Sequence, residues 1–135
     1  MTFTAFPNLE DRPYMSLTTF RKSGAPVPTA VWFVRDGDSI YVFTAAEAGK
    51  VKRIRNNNRV EVAPSNREGT IIGESLPGTA RIITGTDTAI SQRIELLMDK
   101  KYGSTKRLMA MVSRFVRFLS RTPKQERAYL EIKPL

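Results

Sequence analysis

The run PVPTAVWFVRDGDSIYVFT, residues 26–44, constrains the fold more than any other part of the chain. Two stretches rich in β-branched and aromatic residues flank Asp36, Gly37 and Asp38, a strong hairpin signal. The chain is expected to double back here as two antiparallel strands, 26–35 and 39–44. The prolines at 26 and 28 are confined to the start of the first strand, where a ladder tolerates them.

The same punctuation runs through the first half. YMSLTTFR (14–21) is a short segment of β-formers and KSGA is a turn. RVEVAP (59–64) alternates like a half-buried strand, and GTARIITG (78–85) reads as another. The second half turns helical. DTAISQRIELLMDKKYG (87–103) places Ile90, Ile94, Leu97 and Met98 on one stripe, with Gly103 able to end the helix. STKRLMAMVSRFVRFLSRT (104–122) predicts a second helix with an apolar face beside an arginine-rich one. ERAYLEIKP (126–134) returns as a closing strand. This order predicts a mainly β fold, a small β-barrel with helices packed on it, in one domain spanning 1–135.

Two absences narrow the chemistry. With no cysteine, thiol catalysis, disulfides and cysteine-ligated metals are excluded. With no histidine, the commonest general base and zinc ligand is missing, and Ser-His-Asp machinery with it. Any enzyme built this way is expected to take its reactive centre from a cofactor, and no metal site is expected. No long apolar run or secretory h-region is present, so a cytoplasmic protein without a membrane span is expected.

The charge balance asks for an anion. Lys+Arg number 22 against 13 Asp+Glu, a net charge of +9. Five of the cations (Lys50, Lys52, Arg53, Arg55 and Arg59) crowd into AGKVKRIRNNNRV, residues 48–60. A helix starting just after Gly49 would offer free backbone N–H groups and two lysines to an anion. Lys50 is followed by valine and the leading glycine of a Walker loop is missing, so this is not that motif. Spacing alone fits a solvated basic face equally well. PTAVWF (28–33) holds the only tryptophan, and it could wall a flat ring or simply be a core strand. The basic amphipathic segment 104–122 suits an anionic membrane or nucleic acid, yet such helices more often pack on a core with arginine stems along the border. No zinc ligands, RNP-type strand or helix-turn-helix punctuation accompany it, so neither nucleic acid nor membrane is the expected partner.

Taken together, LTTFRKSGAPVPTAVWFV (17–34), DGDSIYVFTAAEAGKVKRIRNNNRVEVAPSNREG (36–69) and GTARII (78–83) resemble the pyridoxamine 5'-phosphate oxidase-like split β-barrel proteins, and more closely their flavin/deazaflavin oxidoreductase branch. RAYLEIKP is similar to that branch's last strand. The resemblance implies an FMN-binding-type split barrel. It implies an oxidoreductase that uses a reduced deazaflavin (coenzyme F-420) or FMN to transfer a hydride to a small organic substrate. The alternative it leaves is a non-catalytic flavin, deazaflavin or haem binder. It implies that Thr29, Val31, Trp32 and Phe33 run along the cofactor ring and that Thr44 lies near the phosphate or ribityl chain. By the same resemblance Gly49, Lys50, Lys52 and Arg53 hold the phosphate, and Arg67 is a further contact. Asn58 departs from relatives that carry proline there. A homodimer with its cofactor between protomers is also implied. The charge excess favours coenzyme F-420, whose acidic tail extends beyond the phosphodiester, over FMN.

Overall fold

The computed structural model describes residues 6–9, 12–45, 48–84, 88–102, 117 and 127–135. The strands are β1 (Tyr14–Phe20), β2 (Pro26–Trp32), β3 (Val34–Asp36), β4 (Ser39–Ala45), β5 (Arg59–Pro64), β6 (Leu76–Thr84) and β7 (Arg127–Pro134). Helix α1 (Gly49–Asn56) lies between β4 and β5, and α2 (Thr88–Tyr102) follows β6. The expected strand 26–35 is divided, because Phe33 belongs to neither β2 nor β3. The expected second helix, 104–122, lies outside the described residues apart from Arg117, which is helical and exposed. Among the described residues no helix is long and apolar enough to cross a membrane.

All seven strands form one antiparallel sheet in the order β2-β1-β5-β6-β7-β4-β3. The two edge strands of this order, β2 and β3, are separated in the chain by Phe33 alone. One residue spans at most about 3.5 Å, so the two edges must meet at that point and the sheet curls round on itself. This is why the strand breaks at Phe33: the chain leaves one edge and joins the other. The hairpin signal is realised with Asp36 opposite Ser39, and Gly37 takes the positive φ of 62° that a two-residue turn demands at its first position.

Alternation divides the side chains between two cores. Met15 and Leu17 on β1 stand opposite Val31 and Thr29 on β2, and opposite Pro64 and Val62 on β5. Met15, Leu17, Val62, Val42, Leu130 and Ile132 fill the barrel interior, joined by Val51 and Ile54 from α1. Val51 and Ile54 are the buried side of α1, while Arg55, one turn on from Val51, is exposed. On the outer face α2 covers the sheet with Ile94 and Met98 against Val34, Ile83 and Tyr129. Burying each such side chain contributes about 1.5–3 kcal/mol, which makes these two clusters the main support of the fold.

Candidate functional site

A cavity of about 330 Å³ opens where the sheet edges meet, lined by Tyr14, Ala30, Val31, Trp32, Phe43, Lys50 and Arg67. Successive residues of a strand point to opposite faces. Ala30, Val31 and Trp32 can border one cavity only if it runs along the free edge of β2, which pairs with β1 alone. That edge faces the cavity and offers a straight border to the edge of a flat ligand.

The walls are aromatic. Tyr14 stands opposite Trp32 in the β1–β2 register, and the Trp32 and Phe43 rings lie 5.4 Å apart between centroids, tilted by 47°. Phe43 arrives from β4, distant in the sheet order but brought alongside by the curl. Two cations complete the lining. Lys50 comes from the first turn of α1 and Arg67 from the turn after β5.

Lys50 is half-buried, and burial, with the Arg53 cation next, holds its ammonium below the ordinary lysine value of 10.5. Among the described residues no carboxylate offsets this shift. A cation that pays desolvation without an internal counter-ion is a fit for an anionic ligand group. The start of α1 has no side-chain cap, and the bonds at this end run from the Val51 and Lys52 amides to the Ala48 carbonyl. Gly49 leaves room there for Arg53: a Cβ on Gly49 would stand 2.9 Å from its guanidinium Nη1. The residues therefore suit a phosphate beside an aromatic ring.

The remaining expected site residues are placed differently. Lys52 is exposed, nearly opposite Lys50 around the helix, and does not line the cavity. Arg53 donates from Nε to Thr19 Oγ1 at 2.6 Å, tying α1 to β1, although its guanidinium also lies beside Gly49. Thr44 is buried, with its hydroxyl 3.4 Å from the Ala45 carbonyl. Thr29 lies inward, opposite Leu17. Phe33 is fully buried in the interior cluster and does not line the cavity. Val31, Trp32, Lys50 and Arg67 are brought together.

Tyr14, Ala30 and Phe43 were missing from the sequence reading. Pairing β1 with β2 about the KSGA turn would have put Tyr14 opposite Trp32, so that signal existed. Phe43 carried none. A second cavity, about 380 Å³, is lined by Phe6, Pro7, Asp38, Leu76, Pro77, Pro134 and Leu135. Among its described lining residues the only charged side chain, Asp38, is acidic, which does not suit a phosphate.

The chain matches the pyridoxamine 5'-phosphate oxidase family over residues 3–134. No curated protein matches it by sequence. Among solved structures it is similar to an F-420 reductase at 19% identity and a TM-score of 0.63, covering 100% of this chain and 96% of that one. It is similar to the heme storage protein HutZ of Vibrio cholerae at 15% identity and a TM-score of 0.67, covering 92% and 82%. It is also similar to General Stress Protein 26 of Bacillus anthracis at 17% identity and a TM-score of 0.61, covering 94% and 83%.

Proposed function

The chain belongs to the pyridoxamine 5'-phosphate oxidase family, with its split-barrel fold, and from that premise we propose that it is an oxidoreductase using a reduced deazaflavin or FMN. The observation that carries this reading is the aromatic edge cavity into which Lys50, half-buried and with no carboxylate beside it among the described residues, brings a cation. The bound ring would supply the hydride chemistry that a chain without histidine or cysteine lacks. The chain's own part is to bind and orient. Trp32 and Phe43 wall the ring, the outer edge of β2 borders it, and Lys50 with Arg67 receives the anionic end. Tyr14 adds a phenol side chain to the described lining.

Between the two cofactors the charge excess favours coenzyme F-420. Its acidic tail offers carboxylates to the exposed Lys52, Arg55 and Arg59 beyond the cavity. A homodimer is part of the same proposal. A cavity of about 330 Å³ is at the small end of ligand sites, so a symmetry mate would supply the second wall. Phe33 is fully buried within the single chain, so Ala30, Val31 and Trp32, which border the cavity, would face that mate.

The test is a side-by-side titration with FMN and coenzyme F-420, read by quenching of Trp32, the only tryptophan. Tighter binding of coenzyme F-420 at low salt, with the gap narrowing as exposed charges are screened, is expected. Binding of neither ligand refutes the reading, and equal or tighter FMN binding leaves the FMN form of it. Turnover with the reduced cofactor then separates an enzyme from a carrier.

A further inference from the structure

We infer that Asn66 is a positioning residue for the anionic part of the ligand, because it clamps the hairpin that delivers Arg67 to the cavity. The inference rests on the reading above of that cavity as a receptor for an anionic flavin-type cofactor. Arg67 is exposed, and a long exposed arginine has many rotamers to lose on binding. Its guanidinium stays near the cavity only if the backbone beneath it is held.

Asn66 supplies that hold from both its side chain and its main chain. Its Oδ1 accepts from the Glu68 amide at 3.0 Å and from the Thr70 amide at 2.9 Å. Its own amide donates to the Thr70 carbonyl at 3.0 Å, and its carbonyl accepts from the Gly69 amide at 3.1 Å. These four bonds span Arg67. Below them, the Ser65–Ile71 bridge and the bond from the Ile72 amide to the Pro64 carbonyl close the neck of the hairpin. Gly69 sits at φ 89°, and a Cβ there would lie 3.5 Å from the Ala30 Cβ. The hairpin thus rests on β2 beside a residue that lines the cavity, with Arg67 two positions away. Asparagine suits this position because an Asx side chain accepts from amides two and more residues ahead without adding a charge to the anion site.

The experiment measures FMN affinity at low salt by Trp32 fluorescence for the wild type, Asn66→Ala, Asn66→Ser, Arg67→Ala, Lys50→Ala and the Asn66→Ala/Arg67→Ala double variant. Arg67→Ala is expected to weaken binding by about three- to fivefold. Asn66→Ala should lose the same factor, and the double variant should be no weaker than Arg67→Ala alone, since the two residues act as one unit. Asn66→Ser keeps one neutral acceptor and should fall between the wild type and Asn66→Ala. Wild-type affinity in Asn66→Ala, or losses that multiply in the double variant, would overturn the inference. An Arg67→Ala variant that binds as well as the wild type would overturn it too, while the Lys50→Ala result judges the cavity separately. If Asn66→Ala does not fold, Asn66→Ser decides: it must bind between the wild type and Arg67→Ala, and any affinity outside that range overturns the role.

Discussion

The ammonium of Lys101 stands 3.4 Å from the centroid of the Phe33 ring and donates to the Phe33 carbonyl at 2.8 Å. The residue at which the chain passes from one edge of the sheet to the other is thus held from α2 on both its ring and its main chain. The lysine supplies a donor to a buried main-chain carbonyl at the crossing.

Phe33 is therefore expected to matter for stability and not for the ligand. Phe33→Ala should lower stability by about 3–5 kcal/mol in urea unfolding, as a fully buried aromatic does. Phe33→Leu should retain FMN affinity within about twofold, because affinity follows the residues that line the cavity. Tenfold weaker binding in a folded Phe33→Leu variant would place Phe33 in the site after all.

Lys50 and Lys52 are neighbours in the basic stretch with opposite fates. Lys50→Ala should weaken cofactor binding by about 1.5–3 kcal/mol, the worth of a charge-assisted hydrogen bond. Lys52 is exposed and outside the cavity lining, so Lys52→Ala should change FMN affinity by less than about 0.5 kcal/mol. Isothermal titration of both variants checks the contrast, and equal losses would contradict the geometry.

The Lys50 shift has a definite sign in pH. Its folded value is depressed below 10.5, so the cost of its charge is fully present below that depressed value. Between the depressed value and 10.5 the unfolded chain holds more protons than the folded one, and this group's contribution to stability rises with pH. Cofactor affinity should move the other way across the same window, because the phosphate needs the charged form. Lys50→Met should remove both trends. Melting curves and titrations of the two proteins across the alkaline range test this, and unchanged trends in Lys50→Met would assign them elsewhere.

Asp36 and Arg93 form a two-point contact, Nε to Oδ2 at 2.8 Å and Nη2 to Oδ1 at 2.9 Å, joining the end of β3 to α2. The Arg93 hydrogen bond, aided by its charge, holds the Asp36 carboxyl below the usual 3.8. That stabilisation is complete above 3.8 and is lost as pH falls through the depressed value. Asp36→Asn should therefore melt below the wild type at neutral pH, and the difference should close in acid. A gap that persists at the acid end would mean that the contact acts by packing and not by charge.

The sequence by itself determined the local elements. The Gly37 turn, the alternation of 59–64 and the stripe of Ile90, Ile94, Leu97 and Met98 are local patterns, and β1, β5, α1, α2 and β7 lie within a residue or two of where those patterns put them. The lack of histidine and cysteine left any hard chemistry to a cofactor, while the cations after Gly49 fitted an anion or a solvated face equally until the family resemblance was added. Tertiary structure decided which residues meet. Lys50 and Lys52 are indistinguishable by composition, and only the docking of Val51 and Ile54 into the barrel turns one toward the cavity and the other to solvent. Trp32 and Phe43 are eleven positions apart in the chain and on non-adjacent strands, so no periodicity links them. They meet because Phe33 is too short a bridge to let the two sheet edges part, and that closure is a property of the whole sheet that no single segment carries.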